Sequence, residues 1–224
     1  MTPSSHNIPK FTFPWEECEQ VCEDFVERAE SMGHTATFCK EKRIFEAGPE
    51  SLEVPRVFPI PKSCSSLPSF LEQLPIEPGL QVVLLMQAGA ASLGLFEAGE
   101  VLRTKTFKRY VVRGKGRAQP THLNSKGKSR YGSRLRLQNA RAILDETNEK
   151  LHDWWDEYGV PDTVFFNAPV RLWADLKTAK PTPPFAASGQ LVRIPQDLPV
   201  PTTDVMLRAY RSLCYGRITT TPKP

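Results

Sequence analysis

In the stretch RGKGRAQPTHLNSKGKSRYGS, residues 113–133, glycines and cations surround one glutamine, Gln119. Arg113, Lys115, Arg117, Lys126, Lys128 and Arg130 supply guanidinium and ammonium donors, and no carboxylate sits among them. The chemistry open to such a segment is contact with phosphates. Carboxylate chemistry is poorly served. A two-metal nuclease holds its ions between clustered acids, usually beginning on the first strand, yet the run QVVLLMQ at 81–87 has none. Glu97 and Glu100 flank a turn, and Asp145, Glu146 and Glu149 read as surface acids of a helix. A nucleophilic site would need Cys64 or Cys214 beside His122 or His152, and neither cysteine has a local activating context. Cys18 and Cys22 lie on one apolar helical face with no second ligand pair, so neither a metal nor a cofactor is expected.

The charge pattern sharpens the phosphate reading. Between Val101 and Leu144 there are thirteen Lys or Arg residues and no Asp or Glu. The rest of the chain, with 16 of the 29 basic residues and all 25 acidic ones, carries a net charge of −9. One block is a cation and the remainder an anion, which points to a polyanionic partner, most often nucleic acid. No run is long enough to span a membrane, and the N-terminus lacks a signal-peptide pattern. An odd five cysteines without regular spacing fit a reducing compartment. The expected location is the cytoplasm, with no membrane partner.

These residues must be positioned by elements that hydropathy outlines. After Pro14, the residues Cys18, Val21, Cys22, Phe25, Ala29 and Met32 draw one apolar stripe along a helix that Gly33 ends. Residues 46–79 are dense in proline and serine and read as a largely irregular connector with a short helix around Ser69 to Gln73. LQVVLLMQ, SLGLFEAG and EVLRTKTFKRYVV then read as three strands with very short links, an antiparallel meander. The cationic loop, 113–132, follows. Next comes a helix from about Ser133 to Tyr158, striped by Leu137, Leu144, Leu151 and Tyr158 with Ala140, Thr147 and Trp154. Leu144 and Leu151 should face a sheet whose centre includes Val83, Leu85 and Phe165. DTVFFNA and QLVRIP read as strands, and VRLWADLKT, opened by Pro169, and TTDVMLRAYRSLCYG as helices. RITT is placed as a last edge strand. The expected fold is mixed α/β (α+β), with a ribonuclease-H-like sheet in which the meander is continued by alternating helices and strands. Residues 1–79 form an N-terminal helical extension and proline-rich connector, and 80–224 form the main domain.

YVVRGKGRAQ followed by SRYGSRLRLQNARAILDE resembles the loop and following helix of the Vms-like release-factor family. That family is related to the central domain of eukaryotic-type class 1 peptide release factors. The match comprises Val112, Arg113, Lys115, the Gly-x-x-Gln of Gly116 to Gln119, and Ser129, Gly132, Ser133, Leu135, Arg136 and Asn139. It covers about residues 80–220, and a stand-alone bacterial-type member is the closer comparison. Arg117 and Ala118 replace the second glycine of the Gly-Gly-Gln motif of true release factors. The resemblance implies a ribosome-associated peptidyl-tRNA hydrolase, or rescue protein, that acts as a monomer on the large subunit. Gln119, which has no useful acid–base pKa, would position water or the leaving ribose through its amide or backbone N–H. Gly116 and Ala118 would allow close approach. Arg113, Lys115, Arg117, Lys126, Lys128, Arg130, Arg134 and Arg136 would bind phosphates of ribosomal RNA or of the peptidyl-tRNA. Two alternatives stay open at this stage: a non-catalytic RNA-binding module on the same fold, and a tRNA 3′-end nuclease.

Overall fold

The computed structural model describes residues 10–111, 128–187 and 190–221. The chain divides into two compact units, residues 1–78 with 209–224, and residues 79–208.

In the first unit, β1 (Lys10–Pro14), β2 (Thr37–Cys39), β3 (Ile44–Ala47), β4 (Glu50–Glu53) and β10 (Tyr215–Thr220) pair antiparallel in the order β1-β10-β4-β3-β2. The helix α1 (Cys18–Ser31) buries Cys18, Cys22, Phe25 and Ala29, the stripe expected from the sequence. Ser66 opens α2 (Leu67–Leu71) with a reciprocal capping box to Ser69, which satisfies amides the helix leaves unpaired. Phe13, Phe25, Phe45, Phe58 and Phe70 are among the largest fully buried side chains. Gly216 on β10 is required for this packing, because a Cβ there would come within 2.3 Å of the Phe13 ring.

Two expectations are corrected here. Residues 46–79, read as a largely irregular connector with one short helix, contain the end of β3 and all of β4 besides that helix, α2. The strand ESLE has a single apolar residue, Leu52, so it carries no alternation to read. RITT, residues 217–220, expected as an edge strand of the domain 80–224, belongs instead to β10, which begins at Tyr215 and lies between β1 and β4. The supposed helical extension is therefore a helix with a five-stranded sheet, completed by the C-terminal residues.

The second unit has the sheet order β7-β6-β5-β8-β9, formed by β5 (Gln81–Gln87), β6 (Ala90–Glu97), β7 (Glu100–Lys108), β8 (Thr163–Asn167) and β9 (Gln190–Arg193). β5, β6 and β7 form the expected antiparallel meander, and β8 then pairs parallel to β5, and β9 parallel to β8. The β6–β7 link is a two-residue turn at Ala98 and Gly99, both with positive φ (46° and 83°), the hand that matches strand twist. The helices are α3 (Lys128–Tyr158), α4 (Val170–Thr178) and α5 (Thr203–Leu213), the last of which continues into the first unit. Thr202 caps α5, its hydroxyl accepting from the Val205 amide at 3.2 Å.

The C-terminal half of α3 lies on the sheet. Ile143, Leu144, Leu151, Trp154 and Trp155 share one core with Val82, Leu84, Met86, Leu93, Leu95 and Val164. Leu144 and Leu151 thus face the sheet as expected, but through the alternate residues. Val83, Leu85 and Phe165 are buried on the opposite face, where Met206 of α5 lies over Gly94. A strand buried on both faces, as β5 is, reads as a continuous apolar run, and the run does not say which residues face the helix. The apolar stripe also runs one heptad beyond the buried part of α3, since Leu137 is 57% exposed. No described helix is long and apolar enough to cross a membrane.

Candidate nucleic-acid interface

The cationic segment lies in sequence between β7 and α3. Arg113, Lys115, Gly116, Arg117, Gln119 and Lys126 lie outside the described residues, as do the side chains of Lys128 and Arg130 in the first turn of α3. What the structure gives is the base on which the loop stands.

That base is tightly tied. The Arg109 amide donates to the Gly89 carbonyl at 2.8 Å, joining the end of β7 to the β5–β6 turn. Gly89 has φ +85°, and a Cβ there would fall 2.6 Å from the Arg109 carbonyl oxygen and 2.8 Å from the Val111 side chain. Only glycine permits this approach. The Arg109 guanidinium bridges to Glu146 of α3 through two nitrogens, Nε at 3.2 Å from Oε2 and Nη2 on Oε1. Glu146 holds Arg109 above its ordinary guanidinium value by that hydrogen bond and by its charge. One residue further, Asn139 Nδ2 donates to the Tyr110 carbonyl at 2.8 Å. Arg109 and Tyr110 are thus each held in place, and Val111 lies close to Gly89.

Asn139 belongs to the helix-entry pattern seen in the sequence, and so do Ser133 and Arg136. Arg136 Nη2 donates to Ser133 Oγ at 3.1 Å, and Gly132 lies beneath the Arg136 guanidinium. Arg134 is exposed and has no hydrogen-bond or ion-pair partner among the described residues. Arg109, Glu146 and Gly89 were missed as site residues. Their contacts join segments far apart in sequence, and only the very short link between the first two strands of the meander hinted at Gly89.

The charge along α3 is reversed relative to its dipole. Lys128, Arg130, Arg134, Arg136 and Arg141 occupy its first half, and Asp145, Glu146, Glu149, Asp153, Asp156 and Glu157 its second. A helix N-terminus carries partial positive charge and favours acids, so each misplaced charge near an end costs about 0.3–1 kcal/mol. The arrangement is unfavourable for the isolated helix and favourable for a polyanion outside it. None of the described side chains from Gly132 to Ala142 is buried, so this basic half stands clear of the core. The edge strand β7 adds exposed Lys105 and Lys108, neither with an acidic partner among the described residues.

The competing chemistries gain nothing from the geometry. Glu97 ends β6 and Glu100 begins β7, at the opposite end of that strand from Lys108, and Glu146 is committed to Arg109. Among the described residues no cluster of three or more His, Cys, Asp or Glu could hold a metal ion. Burial pushes the Cys214 thiol up to about 12, the wrong direction for a nucleophile. His152 Nε2 is 2.8 Å from the Thr182 carbonyl.

The profile of the Bacteroidetes VLRF1 release factor family matches residues 81–221. The chain belongs to that family. The matched span includes the cationic segment, Gly89, Arg109 and all of α3. Among solved structures, the Vms1 mitochondrial localization core is similar in fold, with 13% identity and a TM-score of 0.50 over 93% of this chain and 85% of that one. That likeness reaches well beyond the family match, into the N-terminal residues for which the sequence offered no resemblance. A PilM-PilN type IV pilus biogenesis complex overlays at a TM-score of 0.28 with 11% identity, over 92% of this chain and 74% of that one, too low to carry an argument. No curated protein matches the sequence.

Proposed function

We propose that this chain is a ribosome-directed, release-factor-like rescue protein that presents a basic Gly-x-x-Gln loop to the ester of peptidyl-tRNA. The observation that carries the reading is the acid-free cationic block, Val101 to Leu144, which contains the basic first half of α3 and an edge strand joined by the Asn139 and Arg109 contacts. Membership of a release-factor family supports the same conclusion. Gln119 and Gly116 form the reactive tip, where the glutamine amide or backbone N–H orients water or the leaving ribose and ribosomal RNA supplies the surroundings. Arg113, Lys115, Arg117, Lys126, Lys128, Arg130, Arg134 and Arg136 neutralise phosphates of large-subunit RNA or of the tRNA acceptor end. The protein works as a cytoplasmic monomer without a metal or cofactor.

The deciding experiment is incubation with ribosome-bound peptidyl-tRNA followed by inspection of the tRNA. Freed peptide with an intact CCA end is the expected outcome. A shortened end would replace this reading by tRNA 3′-end cleavage, and unchanged peptidyl-tRNA with retained ribosome binding would replace it by a binding module.

A further inference from the structure

Beside the loop base lies a cleft of about 620 Å³, lined by Gln87, Asn167, Arg193, Ile194, Asp197 and Leu198 among others. Gln87, Asn167 and Arg193 are the last residues of β5, β8 and β9. These strands are neighbours running in one direction, so all three polar side chains end at the carboxyl edge of the sheet. In open sheets of parallel strands that edge is where ligands settle. The volume lies within the range of small-molecule pockets.

The cleft is built, not left over. Gln87 Nε2 donates to the Leu198 carbonyl at 2.8 Å, and Asn167 Nδ2 donates to the carbonyls of Ile194 and Gln196 at 3.1 and 2.8 Å. These two amides tie the segment 194–198 to the strand ends, where it forms a wall of the cleft. Two charged side chains then line the space without any hydrogen-bond or ion-pair partner among the described residues: Arg193 and Asp197. They are only four residues apart, yet they are not paired with each other. One offers a guanidinium fork and the other a carboxylate that accepts hydrogen bonds.

The cleft also shares an element with the loop. Ala88 lines it, and the next residue, Gly89, receives the Arg109 amide and lies under Val111. A ligand in the cleft therefore touches the same two-residue turn that holds the base of the Gly-x-x-Gln loop.

We infer that this cleft is a subsite for one ribonucleotide of the RNA that the loop approaches. Arg193 takes the phosphate, and Asp197 accepts a hydrogen bond from the ribose 2′-hydroxyl, the group that separates RNA from DNA. The inference rests on the RNA-directed reading above, but not on hydrolysis. The nucleotide can come from the tRNA end or from ribosomal RNA, which share this chemistry.

The test uses the full chain with three single-stranded probes: ribo-CCA, deoxy-CCA and ribo-UUU, titrated by calorimetry or amide chemical shifts. Ribo-CCA should bind more tightly than deoxy-CCA by about fivefold, the worth of one hydrogen bond. Arg193→Gln should weaken both CCA probes by about tenfold, as loss of a charge-assisted contact does. Asp197→Asn should weaken the ribo probe and spare the deoxy probe. A preference for CCA over UUU assigns the subsite to the tRNA end, and equal affinity assigns it to RNA in general. If wild type binds ribo and deoxy probes equally, or if both variants bind as wild type does, the subsite does not exist. Gln119→Ala separates the two readings, since it should abolish release while leaving the 2′-hydroxyl preference intact.

Discussion

Gln119 and Asn139 divide the work of the site between a tip and its mounting. Gln119 was legible because a Gly-x-x-Gln loop with a basic approach and a recognisable helix entry is a specific pattern, though a lone Gly-x-x-Gln is not. If it positions the reacting group, Gln119→Ala should greatly reduce release while folding and ribosome affinity stay nearly unchanged. A variant with wild-type release rates would remove it from the mechanism. Asn139 was visible only as part of that pattern, and its 2.8 Å bond to Tyr110 supplies the reason for it. Asn139→Ala should cost about 0.5–1.5 kcal/mol of stability, the net worth of one hydrogen bond. Release should fall by a larger factor than that stability loss explains, because the loop base loses its tie to the helix. Gly89→Ala should act in the same sense and more strongly, as the new Cβ would push against the Arg109 carbonyl oxygen. Equal release by all three proteins in a single-turnover assay would show that the base does not direct the tip. The Arg109–Glu146 pair had no sequence signal, because nothing in local pattern links residues 37 positions apart.

Helix α3 is two elements in one. Its second half is a core helix, and its periodicity predicted the buried Leu144, Thr147, Leu151 and Trp154. Its first half repeats similar apolar spacing at Leu137, which is exposed among the described residues, so the stripe continues where the core has stopped. Periodicity reports what a helix can bury, not where its partner ends. The two halves should therefore respond differently to truncation. Leu151→Ala, at a fully buried site, should cost about 2–5 kcal/mol. Leu137→Ala should stay within about 0.5 kcal/mol, as exposed substitutions do. Chemical denaturation of the two variants measures both values, and equal losses would mean that the basic half of α3 is packed after all.

The molecule as a whole separates charge as α3 does, with a cationic block of thirteen residues set in a chain otherwise at −9. Composition made that asymmetry plain. It could not reveal that the C-terminal strand returns to the N-terminal sheet, because strand pairing across some two hundred residues leaves no local trace. The charge asymmetry makes the broadest prediction. Each phosphate neutralised on single-stranded RNA contributes a slope of about −0.7 in log K against log salt, and only part of the block can reach phosphates together. Roughly four to six contacts give a slope near −3 to −4. Replacing Lys126, Lys128 and Arg130 with Ser should flatten the slope by about 2 and weaken ribosome binding. Thermal stability should hardly change if these are solvent-facing charges, which contribute little to folding. Gln119→Ala should keep the wild-type slope, since an amide neutralises no phosphate. A triple variant that binds ribosomes as tightly as wild type across the salt range would leave these cations with a solvation role only. The reversed charge of α3 would then be a cost to the helix with no partner to offset it.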